Sequence, residues 1–208
     1  VQAGGEDLRV TRLYEDRSGE VWAGGHGALI KGIGTTNTVM ALRHPAHASR
    51  PVVLVRALQE DKAGSLWIGT NWGLFRLGRD GALTHYSLAP RDNGDIVGAL
   101  AVDGRGRLWI GHSWLGVVIL NPAPAGEPPA SRPLAVTALR GTGVTIDPRE
   151  GEAVVVTTAN GLPDDVVTSV LASSDGQIWI GTRSGLARFD GTSLSSYTRK
   201  HGLCDNLV

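Results

Sequence analysis

The sequence predicts an all-β protein folded as a β-propeller, with four recognisable four-stranded blades. Three observations support this: a Trp recurs four times, a Gly follows each Trp by two residues, and a Val precedes each Trp by twelve. The spacings from Val10 to Val55, from Val55 to Val97 and from Val167 to Val208 are 45, 42 and 41 residues, a length typical of one propeller blade of four short strands. The repeated residues are Trp22, Trp67, Trp109 and Trp179; Gly24, Gly69, Gly111 and Gly181; and Val10, Val55, Val97 and Val167.

Each copy is predicted to contain four strands in order. Residues 10–14 and 55–59 are β-rich first strands, and each ends in an acidic turn that closes on Gly19 or Gly64. Asp and Gly suit such turns because Asp bonds nearby backbone and Gly adopts positive φ. The Trp strand follows, Gly73 opens a third strand, and residues 83–86 form a fourth. A β-sandwich would not repeat one Trp register, and a helical solenoid would need a 3.6-residue periodicity that is absent.

The chain is predicted to be a single propeller segment, an arc or fragment of a larger propeller. One interval is long because a Pro-rich insertion follows the third strand of blade three. Residues 152–158 are then the outer strand of that blade; alternatively, residues 136–139 begin a degenerate blade without a Trp. The predicted bounds are about 8–44 for blade one, 52–88 for blade two, 95–159 for blade three with its insertion at 121–151, 165–199 for blade four, and 201–208 for the start of a fifth repeat.

Composition excludes several classes of function. The 20 basic and 20 acidic residues balance, so no net field favours nucleic acid. No apolar run is long enough for membrane insertion in this segment, and the single Cys204 cannot form an internal disulfide. Asp16, Asp61, Asp103 and Asp175 are predicted turn formers, and His44 with His47 lacks further ligands, so we expect no metal and no cofactor.

The four repeated tryptophans are predicted to be the structural core between blades. Trp72 and Trp114 differ, because they lie in the turn after the Trp strand, where no large aromatic is needed. In a four-strand meander this turn and the blade-to-blade connector emerge at the same end. That end would gather His26, Asn71, Trp72, His112, Ser113, Trp114 and Arg183 with the connector residues Arg91, Asp92, Asn93, Asp164 and Asp165. Such groups suit a sugar, a peptide or another protein, although the aromatics could instead cap the blade ends.

Segments 60–74, 160–167 and 174–186 resemble the two-component regulator propeller repeat, and 201–208 repeats part of the pattern. Blades one and three depart from it, since Gly25 and His112 replace a Thr and Leu115 adds a residue. The resemblance implies a periplasmic or extracellular sensor module of a bacterial sensor kinase or hybrid regulator. Such modules typically sense carbohydrate or other extracellular cues, and any kinase or cyclase activity would lie outside this chain.

Three functions remain open at this stage. The first is a non-catalytic module that binds a small molecule, a carbohydrate or a protein partner, and that could act as a homodimer. The second is a propeller lyase, in which His112 and Asp164 or Asp165 would act beside a metal. The third is a structural scaffold with no small-molecule ligand. No Gly-x-Ser-x-Gly elbow, phosphate loop or Cys–His pair is present, so we expect no catalytic residues.

Overall fold

A computed structural model describes the chain at residues 2–3, 6–7, 9–32, 37–43, 53–88, 94–122, 132–133, 136–138, 148–149 and 151–208. The strands of this part form four main sheets, one for each repeat, and a short two-stranded ribbon. His44, His47, Arg91, Asp92 and Asn93 lie outside the described residues. The helices in the described part of the chain are single 3-10 turns, at Thr158–Asn160 and Arg199–His201, and none could cross a lipid bilayer.

The strands follow the chain as simple meanders, so each sheet is one blade. A short ribbon of β1 (Gln2–Ala3) and β2 (Glu6–Asp7) precedes blade one, which comprises β3 (Val10–Glu15), β4 (Val21–Gly25), β5 (Ala28–Lys31) and β6 (Thr38–Ala41). Blade two comprises β7 (Val55–Glu60), β8 (Leu66–Thr70), β9 (Gly73–Leu77) and β10 (Leu83–Ser87).

The insertion adds strands to the outside of two neighbouring blades. Blade three comprises β11 (Val97–Val102), β12 (Leu108–His112), β13 (Gly116–Leu120) and, beyond the insertion, β16 (Ala153–Val156). Within the insertion, β14 (Arg132–Pro133) pairs in parallel with β10, and β15 (Val136–Ala138) pairs in parallel with β16. The segment at 136–138 is therefore an added strand of blade three in this structure. Blade four comprises β17 (Val167–Ala172), β18 (Ile178–Thr182), β19 (Gly185–Phe189) and β20 (Leu194–Tyr197).

Successive blades contact each other through their first strands, β3 with β7, β7 with β11, and β11 with β17. This radial arrangement confirms the predicted propeller class, and the four blades form an open arc. The three described blade interfaces hold three apolar clusters, which are built mainly from the Trp strand and third strand of one blade and the first three strands of the next. Thr11 also donates its hydroxyl to the carbonyl of Val55 across the first interface, at 2.7 Å.

The repeated Gly and the repeated Val are two halves of one contact. A Cβ added to Gly69 would lie 2.8 Å from Val97 Cγ1, and one added to Gly111 would lie 2.7 Å from Val167 Cγ1. Each Gly therefore leaves the space in which the Val of the next blade packs. The same contact recurs at the end of blade four, where a Cβ on Gly181 would lie 3.1 Å from Val208 Cγ1.

The two ends of the arc leave apolar faces uncovered. On blade one, Val10 is 49% exposed and Leu13 is 68% exposed, whereas the equivalent Leu58 and Leu100 are each 9% exposed beneath a preceding blade. On blade four, Leu171 is 61% exposed. A further blade would cover these faces, which hold the most exposed large apolar side chains among the described residues of the blades.

We predict that Gly69→Ala lowers the free energy of unfolding by about 2 kcal/mol, because the new methyl group meets both the side chain and the carbonyl oxygen of Val97. The matched control is Gly98→Ala, since no atom lies within 4 Å of a Cβ at that position. Chemical denaturation of both variants measures the difference. Equal stability of the two variants would contradict the proposed origin of the repeated Gly.

Candidate functional site

The repeated tryptophans are held by aspartates that lie six residues earlier. The indole N–H donates to Asp16 Oδ2 from Trp22 at 2.8 Å, to Asp61 Oδ2 from Trp67 at 2.8 Å and to Asp103 Oδ2 from Trp109 at 2.9 Å. The second carboxylate oxygen accepts a backbone N–H that closes the turn, from Glu20, Ser65 or Arg107. Each of these aspartates therefore joins the hairpin turn to the core, which is more than the turn formation expected of it.

Ionisation suits this role. Burial opposes the charge on Asp103, but the hydrogen bonds from Trp109 and Arg107 outweigh it and hold the pKa of Asp103 below its usual 3.8. Burial likewise opposes the charge on Asp16, while hydrogen bonds from Ser18 and Trp22 lower its pKa to about 2.

Blade four departs from this pattern. Ser173 occupies the position six residues before Trp179. Asp175, which the sequence analysis grouped with Asp16, Asp61 and Asp103, lies in the same turn but only four residues before Trp179. Asp175 bonds Ser173 and Gln177. Trp22, Trp67 and Trp109 are buried, whereas Trp179 is only half-buried on the open face of the arc.

A cation lies over each of these rings. Lys31, Arg76 and Arg188 reach Trp22, Trp67 and Trp179 from the third strand, at 5.3, 5.3 and 5.9 Å from the ring centroid. In blade three Ile119 occupies that third-strand position, and Arg107 lies over Trp109 at 5.8 Å instead. Trp22, Trp67 and Trp109 therefore pack in the core beneath a cation, whereas Trp179 has its cation on the open face.

The opposite end of the blades carries the predicted rim residues at one common position. His26, Asn71, Ser113 and Arg183 each follow their Trp by four residues. Each donates its backbone N–H to the carbonyl of the residue that precedes the first strand of its own blade, at distances of 3.3, 3.2, 3.1 and 3.0 Å to Arg9, Leu54, Ile96 and Val166. This backbone hydrogen bond is therefore common to all four blades, while the side chain at the donating position differs in each.

Trp72 and Trp114 follow at the next position, and both are half-buried. Trp72 packs against the apolar cluster between blades one and two. Trp114 meets the ring of His112 edge-on, with centroids 4.9 Å apart. Asn71 accepts the N–H of Leu54 at 2.6 Å, so its amide is partly used in holding the connector.

His112 is fully buried, and its ring belongs to the turn rather than to the surface. In blades two and four this position is Thr70 or Thr182, whose hydroxyl donates to the carbonyl three residues later and accepts an N–H from the turn. His112 Nδ1 accepts from the N–H of Trp114 at 3.3 Å and of Leu115 at 3.2 Å. Its Nε2 lies 3.1 Å from Asp95 Oδ1.

Asp95 and His85 are polar residues of this end that the sequence analysis did not identify. Asp95 is buried in the connector between blades two and three, where Oδ2 accepts from Leu88 N at 2.7 Å and from Ser87 Oγ at 3.1 Å. His85 is buried on β10, with Nε2 at 2.7 Å from the carbonyl oxygen of Trp72. Burial lowers the pKa of His85 below 6.5, although the Trp72 carbonyl and Asp95 oppose that shift.

Asp164 and Asp165, in the connector between blades three and four, bind different partners. Asp164 accepts from Ser184 Oγ at 2.6 Å and from Val166 N at 2.8 Å, and Arg183 Nε lies 3.5 Å away with its side chain 65% exposed. The Ser184 hydrogen bond and then the Val166 N–H keep the pKa of Asp164 below its usual value. Asp165 accepts from Thr158 N at 2.6 Å, which closes the connector.

The described acidic and histidine side chains of this end do not gather around one point. Within the described ranges, no three His, Cys, Asp or Glu side chains are grouped as metal ligands would be. The proposed lyase pair is not assembled either, because the hydrogen bonds of His112 lead to Asp95 rather than to Asp164 or Asp165.

We predict that Asp61→Ala lowers the free energy of unfolding by about 3 kcal/mol. The change removes the acceptor of the Trp67 indole and of Ser65 N, and the buried partner charge of Arg76 at 3.8 Å. Asp175→Ala is the control, since that carboxylate bonds only Ser173 and Gln177 at an exposed turn. Thermal and urea unfolding compare the two, and equal losses would refute the role of the indole acceptor.

We also predict that the stability of the protein falls as the pH falls below about 6.5, in part because of His85. Its folded-state pKa is depressed, so the unfolded chain binds the proton first and stability is lost on acidification. In His85→Gln this contribution disappears, and the decline between pH 7.5 and 5.5 becomes shallower by at most about 1.4 kcal/mol per pH unit. Urea titrations at each pH test this, and parallel pH profiles would exclude it.

A model of the two-component regulator propeller family matches residues 49–72 and 161–184. These segments cover the first strand and the Trp strand of blade two, and the connector, first strand and Trp strand of blade four. No match to a curated protein was found. The prediction that the chain carries this repeat is confirmed.

Among solved structures, the chain is similar to the extracellular domains of two putative hybrid two-component systems from B. thetaiotaomicron. One is 22% identical with a TM-score of 0.66 and covers 95% of this chain; the other is 20% identical with a TM-score of 0.58 and covers 91%. This chain spans only 24% and 21% of their lengths. It is also similar in fold to a catalytically inactive virginiamycin B lyase from Staphylococcus aureus with quinupristin, at 12% identity and a TM-score of 0.63, covering 95% of this chain and 58% of that one. At these identities the likeness establishes the fold.

Proposed function

We propose that this chain, whose blades carry two-component regulator propeller repeats, is a non-catalytic ligand-sensing module of a bacterial signal-transduction regulator. The observation that carries the proposal is that the same backbone hydrogen bond recurs in all four rim turns, while the side chain of the donating residue differs in each turn. The repeated N–H to carbonyl hydrogen bond fixes four equivalent positions, and these hold His26, Asn71, Ser113 and Arg183. Positions that serve packing keep their Gly, Val or Trp in every copy, whereas a binding rim needs different groups at equivalent places.

The chemistry of the rim suits a carbohydrate. Trp72 and Trp114 offer partly exposed aromatic faces, which pack well against sugar rings. The amide of Asn71, the hydroxyl of Ser113 and the Arg183–Asp164 pair offer the donors and acceptors that sugar hydroxyls require. His112 would support the rim from below, because it bonds the turn that carries Trp114.

The setting that we propose is periplasmic or extracellular. Support comes from the two extracellular domains of hybrid two-component systems that share the fold. Binding would alter the packing of blades or the geometry of a homodimer, and a ligand can do so only to the extent that it favours one state over another. A protein partner at the same rim is the alternative ligand.

The lyase alternative has weaker support. It would need His112 and an acidic residue beside a cation, and His112 has no exposed atoms through which to reach a substrate. The similarity to virginiamycin B lyase is one of fold, and at 12% identity it assigns no catalytic role to a residue of this chain.

A fluorescence titration tests the proposed function. We expect at least one oligosaccharide from a panel of α-glucans, xylans, arabinans and pectic fragments to change the tryptophan emission in a saturable way. Trp72→Ala and Trp114→Ala should each weaken binding by at least about tenfold, as removal of a central aromatic contact does. Tyr197→Ala, a half-buried aromatic on the outer strand of blade four, is the matched control. Unchanged affinity in both Trp variants would refute the site, and no response to any sugar would favour a scaffold.

A further inference from the structure

The side chain of Asp95 makes one hydrogen bond that Asp165 and Asn206 make in later connectors, and a second one, with His112, that these two residues do not make. It lies two residues before its blade's first Val, as Asp165 and Asn206 do. Each of the three side chains accepts the N–H of the residue seven positions earlier, from Leu88, Thr158 or Arg199, at 2.7, 2.6 and 2.8 Å. In Asp95 this uses Oδ2 and leaves Oδ1 to meet His112.

The two ring nitrogens of His112 have different partners: Nδ1 holds the turn, and Nε2 meets Asp95. Its Nδ1 accepts two turn N–H groups, as the Thr hydroxyl of blades two and four accepts one. A ring nitrogen that accepts carries no proton, so the proton of the neutral ring lies on Nε2 and is donated to Asp95 Oδ1. The turn that bears Trp114 is thereby tied to the carboxylate of Asp95.

The turn that bears Trp72 is tied to the same residue from the other side. Gly73 N donates to the carbonyl oxygen of Asp95 at 2.6 Å, and Trp72 forms a parallel bridge with Asp95. The carbonyl of Trp72 meets His85, and a Cβ on Gly73 would lie 3.0 Å from His85 Nε2 and 3.1 Å from Asp95 Oδ2. The same Cβ would lie 2.6 Å from the carbonyl oxygen of Tyr86, so glycine leaves open the space that Tyr86, His85 and Asp95 surround.

We propose that Asp95 is a positioning residue that couples the two tryptophan turns, so that a displacement at Trp72 reaches Trp114 through Asp95 and His112. The inference depends on the proposed function in one respect: the proposed function makes these two turns part of the ligand-binding site. Among the described residues, the other two junctions are built differently. Val53, at the equivalent position between blades one and two, has no side-chain acceptor. Between blades three and four, Asp165 bonds Thr158, and the neighbouring Asp164 bonds Ser184 of the blade-four turn instead.

Two variants remove the coupling and retain the common tasks. Asp95→Asn keeps an oxygen for Leu88 N, as Asn206 does for Arg199 N, but turns an amide N–H towards the donor of His112. His112→Thr restores the residue that caps the same turn in blades two and four and has no group that reaches Asp95. Asp165→Asn is the matched control at the next junction.

The experiment is ¹⁹F NMR of the protein labelled with 5-fluorotryptophan, without any ligand. Each Trp resonance is assigned by its Trp→Phe variant, and circular dichroism establishes that every variant is folded. In the otherwise unchanged protein and in Asp165→Asn, we expect Trp72→Phe to shift the Trp114 resonance. In Asp95→Asn and in His112→Thr, that shift should be lost.

Two results would overturn the coupling: no shift at Trp114 in the otherwise unchanged protein, or the same shift in all backgrounds. Because no ligand is used, this outcome is independent of the sugar titration. Intact coupling with no sugar response would count against the proposed function alone, and a sugar response without coupling would count against the role of Asp95 alone.

Discussion

The packing of one blade's Val against the preceding blade's Gly is the constraint on which the rest of the structure depends. It requires a residue without a side chain in the Trp strand, because a Cβ there would overlap the Val. It sets the distance between the Trp strand of one blade and the first strand of the next, and Trp22, Trp67 and Trp109 pack into the same three interfaces. The rim turns are attached to these same strands, so their relative positions follow from the same contact.

The turns at the two ends of the blades are held in different ways. At one end, Asp16, Asp61 and Asp103 fasten the hairpin turns to the core through the indoles. At the other end, each turn donates a backbone N–H to the start of the same blade, and the hydroxyls of Thr70 and Thr182 also hold the turns of blades two and four. The residue that donates this N–H differs in every blade, so its side chain can serve binding. In blade three, His112 takes the place of the Thr and also bonds Asp95.

The fold could be predicted because the Gly, Val and Trp spacings are the direct imprint of one repeated contact. The common end of the rim residues also followed from the meander, which brings turn and connector together. The aspartates were harder: three of them keep a spacing of six residues to their Trp, but a count of acidic residues in the turn grouped Asp175 with them. Ser173 at the true register shows that the spacing, rather than the charge, carries the signal.

The partners of the histidines could not be predicted from the sequence. His112 stands where other blades have Thr, which the repeat reveals, but its bond to Asp95 depends on how the connector turns back over the blade. His85 has no counterpart in the repeat and reaches Trp72 only through the pairing of β9 with β10. The parallel pairing of 136–138 with β16 joins segments far apart in a Pro-rich stretch, where no periodicity sets the register.

Hydrogen exchange of backbone amides, followed strand by strand, tests the interblade contact most directly. If the Val-on-Gly contact is what stabilises each blade, the amides of β7, β11 and β17, which have a preceding blade, should exchange only by global unfolding. Those of β3, where Val10 and Leu13 are exposed, should exchange much faster. Equal protection of all four first strands would show that each blade is stable by itself and would contradict this account.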